Sequence, residues 1–324
     1  MNFIPENYVS NDYSGDESRE IRDLSLNSAS YANKILDANS IRTSLSSLEG
    51  GHMSATFLIK SNESSLVLKL YPYDRLAFGE RLLFDKWDDI DIPIPKIQKF
   101  DFTKSNIPFS YMLMDYIPHN SVSFVDLPVE KRHAVLVEIT KYLKVAHRIR
   151  LDEFGWINFH TDGKGDKTWI DTINNMLAGR GIFLVNHGLL NKNRLSSLKS
   201  IIVKKIPTVS KSSLLHGDCS IGNILLRDKS VAAFIDPDPI GGDGLYDLAY
   251  LSSSLVGISS ENYDDLLINI YLGRSPTQDD WDKWNIYKIL SLIRQISASV
   301  KKNSQDSSSK MKLTRLYELI GLYK

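Results

Sequence analysis

The sequence predicts an α+β chain of two lobes, a small N-terminal lobe built on an antiparallel sheet and a larger, mainly helical C-terminal lobe. Three observations predict it. Between residues 42 and 115, short β-type runs follow one another with turn residues between them and a single helical run among them. From residue 129 onward the apolar residues recur at helical spacing. Between the two patterns lies Tyr116–Asn120, a short connector holding Pro118. A chain of 324 residues is long enough for two such bodies.

Residues 1–40 form an N-terminal extension, polar through residue 24, with a short helix predicted over Asn27–Asp37. The N-terminal lobe, 41–115, opens with a strand over Arg42–Leu48. The turn Gly50-Gly51-His52-Met53-Ser54 leads into strands over Ala55–Lys60 and Leu66–Leu70. A helix over Leu76–Trp87 follows, with Glu80 beside its apolar face. Ile92-Pro93-Ile94-Pro95 ends that helix and forces an extended entry to strands over Ile97–Phe102 and Ser110–Asp115. Residues 116–120 are the hinge and 121–324 the C-terminal lobe. There Val135, Leu136, Ile139, Leu143 and Ala146 mark a helix over Val129–Arg150. A polar insertion, Asp152–Lys167, is followed by helices over Thr168–Leu177 and Asn191–Lys204. The chain then reads as helical from Asp247 to its end.

Hydrophobic residues make up 42% and charged residues 24%, the balance of a soluble globular protein. Acidic and basic residues number 39 each, so net charge selects neither nucleic acid nor acidic lipid as a partner. The first twenty residues have neither the basic nor the apolar region of a secretory signal, and no run of about 18 apolar residues suggests a membrane span. A cytoplasmic location is expected. The lone cysteine, Cys219, excludes an internal disulfide. It lies next to Asp218, so an alkylating reagent is expected to report on that region.

Chemistry concentrates in Leu214–Leu226, LLHGDCSIGNILL, and in FIDPD ending at Asp238. Phosphoryl transfer needs a base to orient the attacking hydroxyl and oxygen ligands for magnesium. Asp218 suits the base, Asn223 and Asp236 the metal, and Asp238 stands two residues further on as another metal carboxylate. Lys69, at the end of the third strand, is placed to contact nucleotide phosphates, with Glu80 to hold it. Gly50, Gly51 and Ser54 could lay backbone N–H groups and a hydroxyl over those phosphates. No Walker A motif occurs.

These residues resemble the aminoglycoside phosphotransferase/choline kinase family, which has a protein-kinase-like fold. The resemblance covers about residues 40–260. It rests on GGHMSATF, LVLKL, FGERLLFDKW, IPIPKI, YMLMDYIP, YLKVAHRI, HGDCSIGNILL and FIDPDPIGGDGLYDLAYL. It implies ATP, with GTP left open, and Mg as cofactors, and a small-molecule hydroxyl acceptor as partner. It implies that His216 and Asp247 brace the catalytic loop. It also implies that Met114, Asp115 and Ile117 border the adenine. Gly217 stands where protein kinases carry Arg, and DPD replaces DFG, which argues against a protein substrate.

On the acceptor side, ten acids between Asp236 and Asp282 face a single base, Arg274. By the same likeness they lie near the acceptor, and Asp243, Asp264, Asp265, Asp279 and Asp280 are candidates to bind a polycation such as an aminoglycoside. Trp281 and Trp284 could stack on sugar rings. The competing reading is two helices with solvated polar faces. The expected function is an ATP- and magnesium-dependent small-molecule phosphotransferase, its acceptor an aminoglycoside or aminocyclitol antibiotic. The alternatives are a metabolic kinase for a sugar, choline or other amino alcohol, or a nucleotide-binding regulatory module without turnover.

Overall fold

A computed structural model describes residues 19–323, except 40, 42, 49–53, 61–64, 120–122, 158–164, 207 and 302–305. The chain divides into two units. The first runs to Pro118 and takes in Ala232–Asp238 from far along the sequence. Most of the remainder, from His119 to the C-terminus, forms the second.

The first unit begins with helix α1 (Arg19–Ala38), which is 20 residues long. The short helix expected over Asn27–Asp37 therefore starts eight residues earlier. Leu24, Ala32, Ile35 and Leu36 share a face that the polar composition of the segment conceals, and all four are buried. They pack in one core with Phe57, Ile59, Leu68, Leu70, Phe109 and Leu113, so this helix is part of the unit's core.

Strands β1 (Ser44–Ser47), β2 (Ala55–Lys60) and β3 (Ser65–Tyr71) lead to helix α2 (Asp74–Asp88), then β4 (Ile97–Asp101) and β5 (Ser110–Asp115). They form a five-stranded antiparallel sheet in the order β1-β2-β3-β5-β4. Its register sets Lys69 opposite Thr56 on one side and Met112 on the other. On α2 the buried face carries Glu80, Phe84 and Trp87, at intervals of four and three residues. That spacing delivers the Glu80 carboxylate into the interior. The Trp87 ring meets Phe234 edge-on at 5.4 Å, and the Phe234 N–H donates to the Pro93 carbonyl at 2.9 Å. These contacts hold the segment carrying Asp236 against this unit.

The second unit is mainly helical. Helix α3 (Val129–Ala146) ends four residues before the predicted Arg150. Residues 149–151 are instead drawn into a sheet, where Ile149 accepts from the Leu214 N–H at 3.0 Å. Strands β6 (Arg150–Leu151) and β7 (Gly155–Trp156) precede helices α4 (Trp169–Met176), α5 (Ile182–Asn186) and α6 (Lys192–Lys205). Strand β8 (Ser212–Leu215) enters the loop carrying Asp218 and Asn223, and β9 (Ile224–Arg227) leaves it. The chain passes into the first unit within β10 (Ser230–Phe234) and returns before β11 (Ile240–Gly242). Strands β6, β8, β11 and β7, in that order, make a small antiparallel sheet. Helices α7 (Leu245–Ser254), α8 (Asp264–Leu272), α9 (Gln278–Lys301) and α10 (Ser307–Gly321) complete the unit. Every residue of α7 is buried, and α9 packs along it. Among the described residues, no helix is long and apolar enough to cross a membrane.

Candidate active site

In the first unit the structure brings together Lys69, Glu80 and Asp236. The Lys69 ammonium donates to Glu80 Oε2 at 2.6 Å and to Asp236 Oδ1 at 2.5 Å. Burial alone would lower the lysine's pKa, but the two carboxylates outweigh it and hold the ammonium above its ordinary range. For Glu80 burial prevails over Lys69, so its pKa is raised. Asp236 is the exposed member of the trio, with a third of its side chain accessible. Its φ of 52° lies in the left-handed region, which is costly for a non-glycine residue.

Ser54 stands just ahead of β2 and is partly buried, whereas Gly50 and Gly51 lie outside the described residues. Met114 is buried on β5, and Asp115 and Ile117 are partly buried. The Asp115 N–H is committed to the Lys96 carbonyl at 2.9 Å. Asp238 is partly buried two residues beyond Asp236.

In the second unit the loop carrying Asp218 hangs from Asp247, which is fully buried on α7. One oxygen accepts the His216 N–H at 2.8 Å and the other the Gly217 N–H at 3.0 Å. The first oxygen also meets His147 Nε2 at 3.1 Å, and His147 Nδ1 lies 3.0 Å from the Tyr271 hydroxyl. Burial, then Asp243 and Asp247, raise the pKa of that phenol, so it stays a hydroxyl in this buried chain of contacts. Gly217 takes a left-handed φ of 75° to turn the loop. The next amide, Asp218 N–H, donates to His216 Nδ1 at 3.3 Å. The Asp218 carbonyl accepts from Ser220 N–H at 2.8 Å and from Asn223 Nδ2 at 2.8 Å. That bond orients the Asn223 side chain, whose amide oxygen is the atom type a hard cation takes.

The partly exposed Asp218 carboxylate neighbours the Tyr250 phenol, whose pKa is pushed well up by burial and then by that carboxylate. His147, Tyr250 and Tyr271 were not singled out as site residues by the sequence. Two of the three stood inside quoted motifs, YLKVAHRI and YDLAYL, but their spacing carries no chemical signature.

Cys219 is completely buried, and burial followed by Asp247 and Asp218 pushes its thiol well up. The expected alkylation is therefore corrected. Neither access nor thiolate is available in the folded protein.

The acids proposed for the acceptor have varied surroundings. Asp264 is buried, with Lys288 Nζ at 2.7 Å and the Ser252 hydroxyl at 2.5 Å. Asp280 accepts from Arg274 at 2.6 Å and from Thr277 N–H and hydroxyl, both at 2.8 Å. Asp243 accepts from Lys283 at 2.9 Å and from the Tyr287 hydroxyl at 2.9 Å. Asp265 and Asp279 are exposed, and Trp281 is partly buried. Trp284 is fully buried, so the expected stacking on a sugar is corrected for that residue.

The model of the phosphotransferase enzyme family matches residues 44–287, well over half the chain. The chain belongs to the phosphotransferase enzyme family. It is accordingly a small-molecule O-phosphotransferase, as its motifs predict. No curated protein matches it. Among solved structures, a thermostable mutant of aminoglycoside phosphotransferase APH(4)-Ia in apo form is 18% identical, with a TM-score of 0.68 over 90% of this chain and 98% of that one. A putative fructosamine-3-kinase from Haemophilus somnus is 17% identical, with a TM-score of 0.61 over 90% and 95%. A ternary complex of streptomycin, ATP and APH(2")-IIa is 18% identical, with a TM-score of 0.59 over 90% and 96%. These likenesses concern the fold, and the enzyme shares the kinase-like α+β architecture that its sequence predicts.

Proposed function

We propose that the enzyme transfers the γ-phosphate of ATP, as its magnesium complex, to a hydroxyl of a small molecule. The observation that carries this reading is the double anchoring of the catalytic loop. Asp247 holds the two amides before Asp218, while Asn223 and Ser220 hold its carbonyl, so the carboxylate is presented on a fixed backbone. Asp218 accepts the acceptor's hydroxyl proton as the oxygen attacks the γ-phosphorus and the bond to the β-phosphate breaks, releasing ADP. Lys69, kept cationic by its carboxylate partners, contacts the α- and β-phosphates. Asp236 and Asn223 offer the oxygen ligands that magnesium takes, and the accessible, strained Asp236 fits that task. When bound, magnesium neutralises charge on the phosphate oxygens. The adenine is proposed to lie along Met114–Ile117, with the Asp115 carbonyl rather than its committed N–H as the backbone group used. Such a reaction belongs in the cytoplasm, where ATP and magnesium are supplied.

For the acceptor we favour a sugar or amino alcohol with few positive charges. Three of the five candidate acids, Asp243, Asp264 and Asp280, already hold a lysine or arginine. A polycation would have to displace those partners. The second reading, an aminoglycoside acceptor and a role in antibiotic resistance, is supported by the exposed Asp265 and Asp279. It is also supported by structural neighbours that carry hygromycin B with ADP, or streptomycin with ATP. An ADP-release assay over sugars, amino alcohols and aminoglycosides decides between them. Release stimulated only by aminoglycosides would reverse our preference. Tight ATP binding with no acceptor-dependent release would support a regulatory module instead.

A further inference from the structure

The loop residue that precedes the base is Gly217, which has no side chain to hold its own peptide group. Its N–H goes to Asp247, but its carbonyl needs a donor from elsewhere. That donor is Arg294, 77 residues later on α9, whose Nη1 lies 2.5 Å from the Gly217 oxygen. This is the carbonyl of the peptide bond that joins Gly217 to Asp218. With its N–H side tied to His216 and its oxygen tied to Arg294, the plane of that peptide is held from both ends.

Arg294 makes a second connection, an indirect one through Tyr250, toward the Asp218 side chain. Its guanidinium carbon lies 5.2 Å from the centre of the Tyr250 ring, and the Tyr250 phenol neighbours Asp218. Only 7% of the arginine is exposed. A buried guanidinium is costly unless its surroundings compensate it. Here the compensation includes a loop carbonyl and an aromatic face.

Helix α9 is suited to carry it. The Thr277–Asp280 capping box ties down the start of the helix, and the Lys288–Asp264 ion pair fixes its middle to α8. Every residue from Ile286 to Ser297 is buried. The guanidinium is thus presented from a rigid element rather than from a loop.

We propose that Arg294 is a positioning residue for the phosphoryl transfer. It supplies from the C-terminal helices the cation that fixes the Gly217–Asp218 peptide and, through Tyr250, the Asp218 carboxylate. Arg294 does not touch the reacting atoms. Its removal should lower turnover without weakening nucleotide binding.

The test uses the full chain with MgATP as the probe, and compares Arg294→Met, Arg294→Lys, Tyr250→Phe and Asp218→Asn. Hydrogen–deuterium exchange of the peptide spanning 214–223 is read with that of the α7 and α9 peptides. Arg294→Met should speed exchange in 214–223 at least tenfold while α7 and α9 stay within about twofold. Kinetically it should lower kcat for ADP release, with water or the best acceptor of the screen, about 10–100-fold, and leave KM for MgATP within about threefold. Arg294→Lys, which keeps the charge but not the fork, should fall between Arg294→Met and the wild type. Tyr250→Phe, which keeps the ring, should lower kcat only a few-fold. Unchanged exchange in 214–223 would overturn the proposal, as would an equal rise across all peptides or a rise in KM with kcat preserved. Asp218→Asn is the separate control. If it retains turnover, the function assigned to Asp218 fails, whereas the exchange result still judges Arg294.

Discussion

At the scale of single residues, the two carboxylates of the site have different surroundings and should fail differently. Asp218 sits on a backbone anchored through both its N–H and its carbonyl, and among the described residues no lysine or arginine forms an ion pair with it. Replacing it with Asn leaves the loop's bonds in place and removes only the proton acceptor. Transfer should fall by about 10²–10⁴, with nucleotide affinity nearly unchanged, as stopped assays and nucleotide titration would show. Asp236 is bonded to Lys69 and lies in left-handed backbone. Asp236→Ala should weaken magnesium-dependent nucleotide binding and turnover together. Asn223→Ala should do the same less severely, because a neutral oxygen contributes less than a charged one to holding a dication. Metal titrations of both variants check the order. An unaffected Asp236→Ala would transfer the ligand role to Asp238.

At the scale of elements, two helices have roles that their composition hides. Helix α1 looks like a polar extension, yet it inserts Ile35, fully buried, into the core of the sheet. Ile35→Ala should destabilise the protein by about 2–5 kcal/mol in denaturant titrations. Leu26→Ala, on the opposite face and 77% exposed, should stay within about 0.5 kcal/mol. Helix α9 begins at a carboxylate with an acid-sensitive role. The Arg274 hydrogen bond first, helped by Thr277, lowers Asp280 to about 2, below the usual 3.9 or so of an unfolded aspartate. A depressed carboxylate contributes stability above its unfolded pKa and loses it as pH falls toward the folded one. Asp280→Asn should therefore lower the urea midpoint at pH 7, and the difference from wild type should shrink as pH drops from about 4 to 2.

At the scale of the whole molecule, net charge is zero and says little about the acceptor, so local pairing decides the expectation. If the acceptor is a sugar or amino alcohol of low charge, its KM should hardly respond to salt. A polycation held by Asp265 or Asp279 should show a KM that rises with ionic strength, because exposed charges are screened beyond about 8 Å at physiological salt. Steady-state kinetics from low to physiological salt, with Asp265→Asn and Asp279→Asn measured separately, distinguishes the two. Loss of affinity in either variant with kcat preserved would restore the polycation reading.

The sequence by itself determined the α+β architecture, the strand order along the first sheet's chain and the family. All of these rest on local patterns: period-two runs, helical spacing, and a loop whose Asp218 and Asn223 lie five residues apart. Glu80 was legible for the same reason, since its place on the apolar face of α2 follows from helical geometry. Only the tertiary structure decided what depends on residues distant in sequence. It joined Asp236 to Lys69 across 167 positions and Arg294 to Gly217 across 77. It also paired His147 with Asp247 across 100. It also paired Asp264 with Lys288 and Asp280 with Arg274, because a charge run in sequence does not reveal which carboxylates fold against a cation. The physical reason is common to all of these. Secondary structure answers to neighbours within a few residues, whereas burial, ion pairing and the fixing of a reactive carboxylate answer to whatever the folded chain brings alongside.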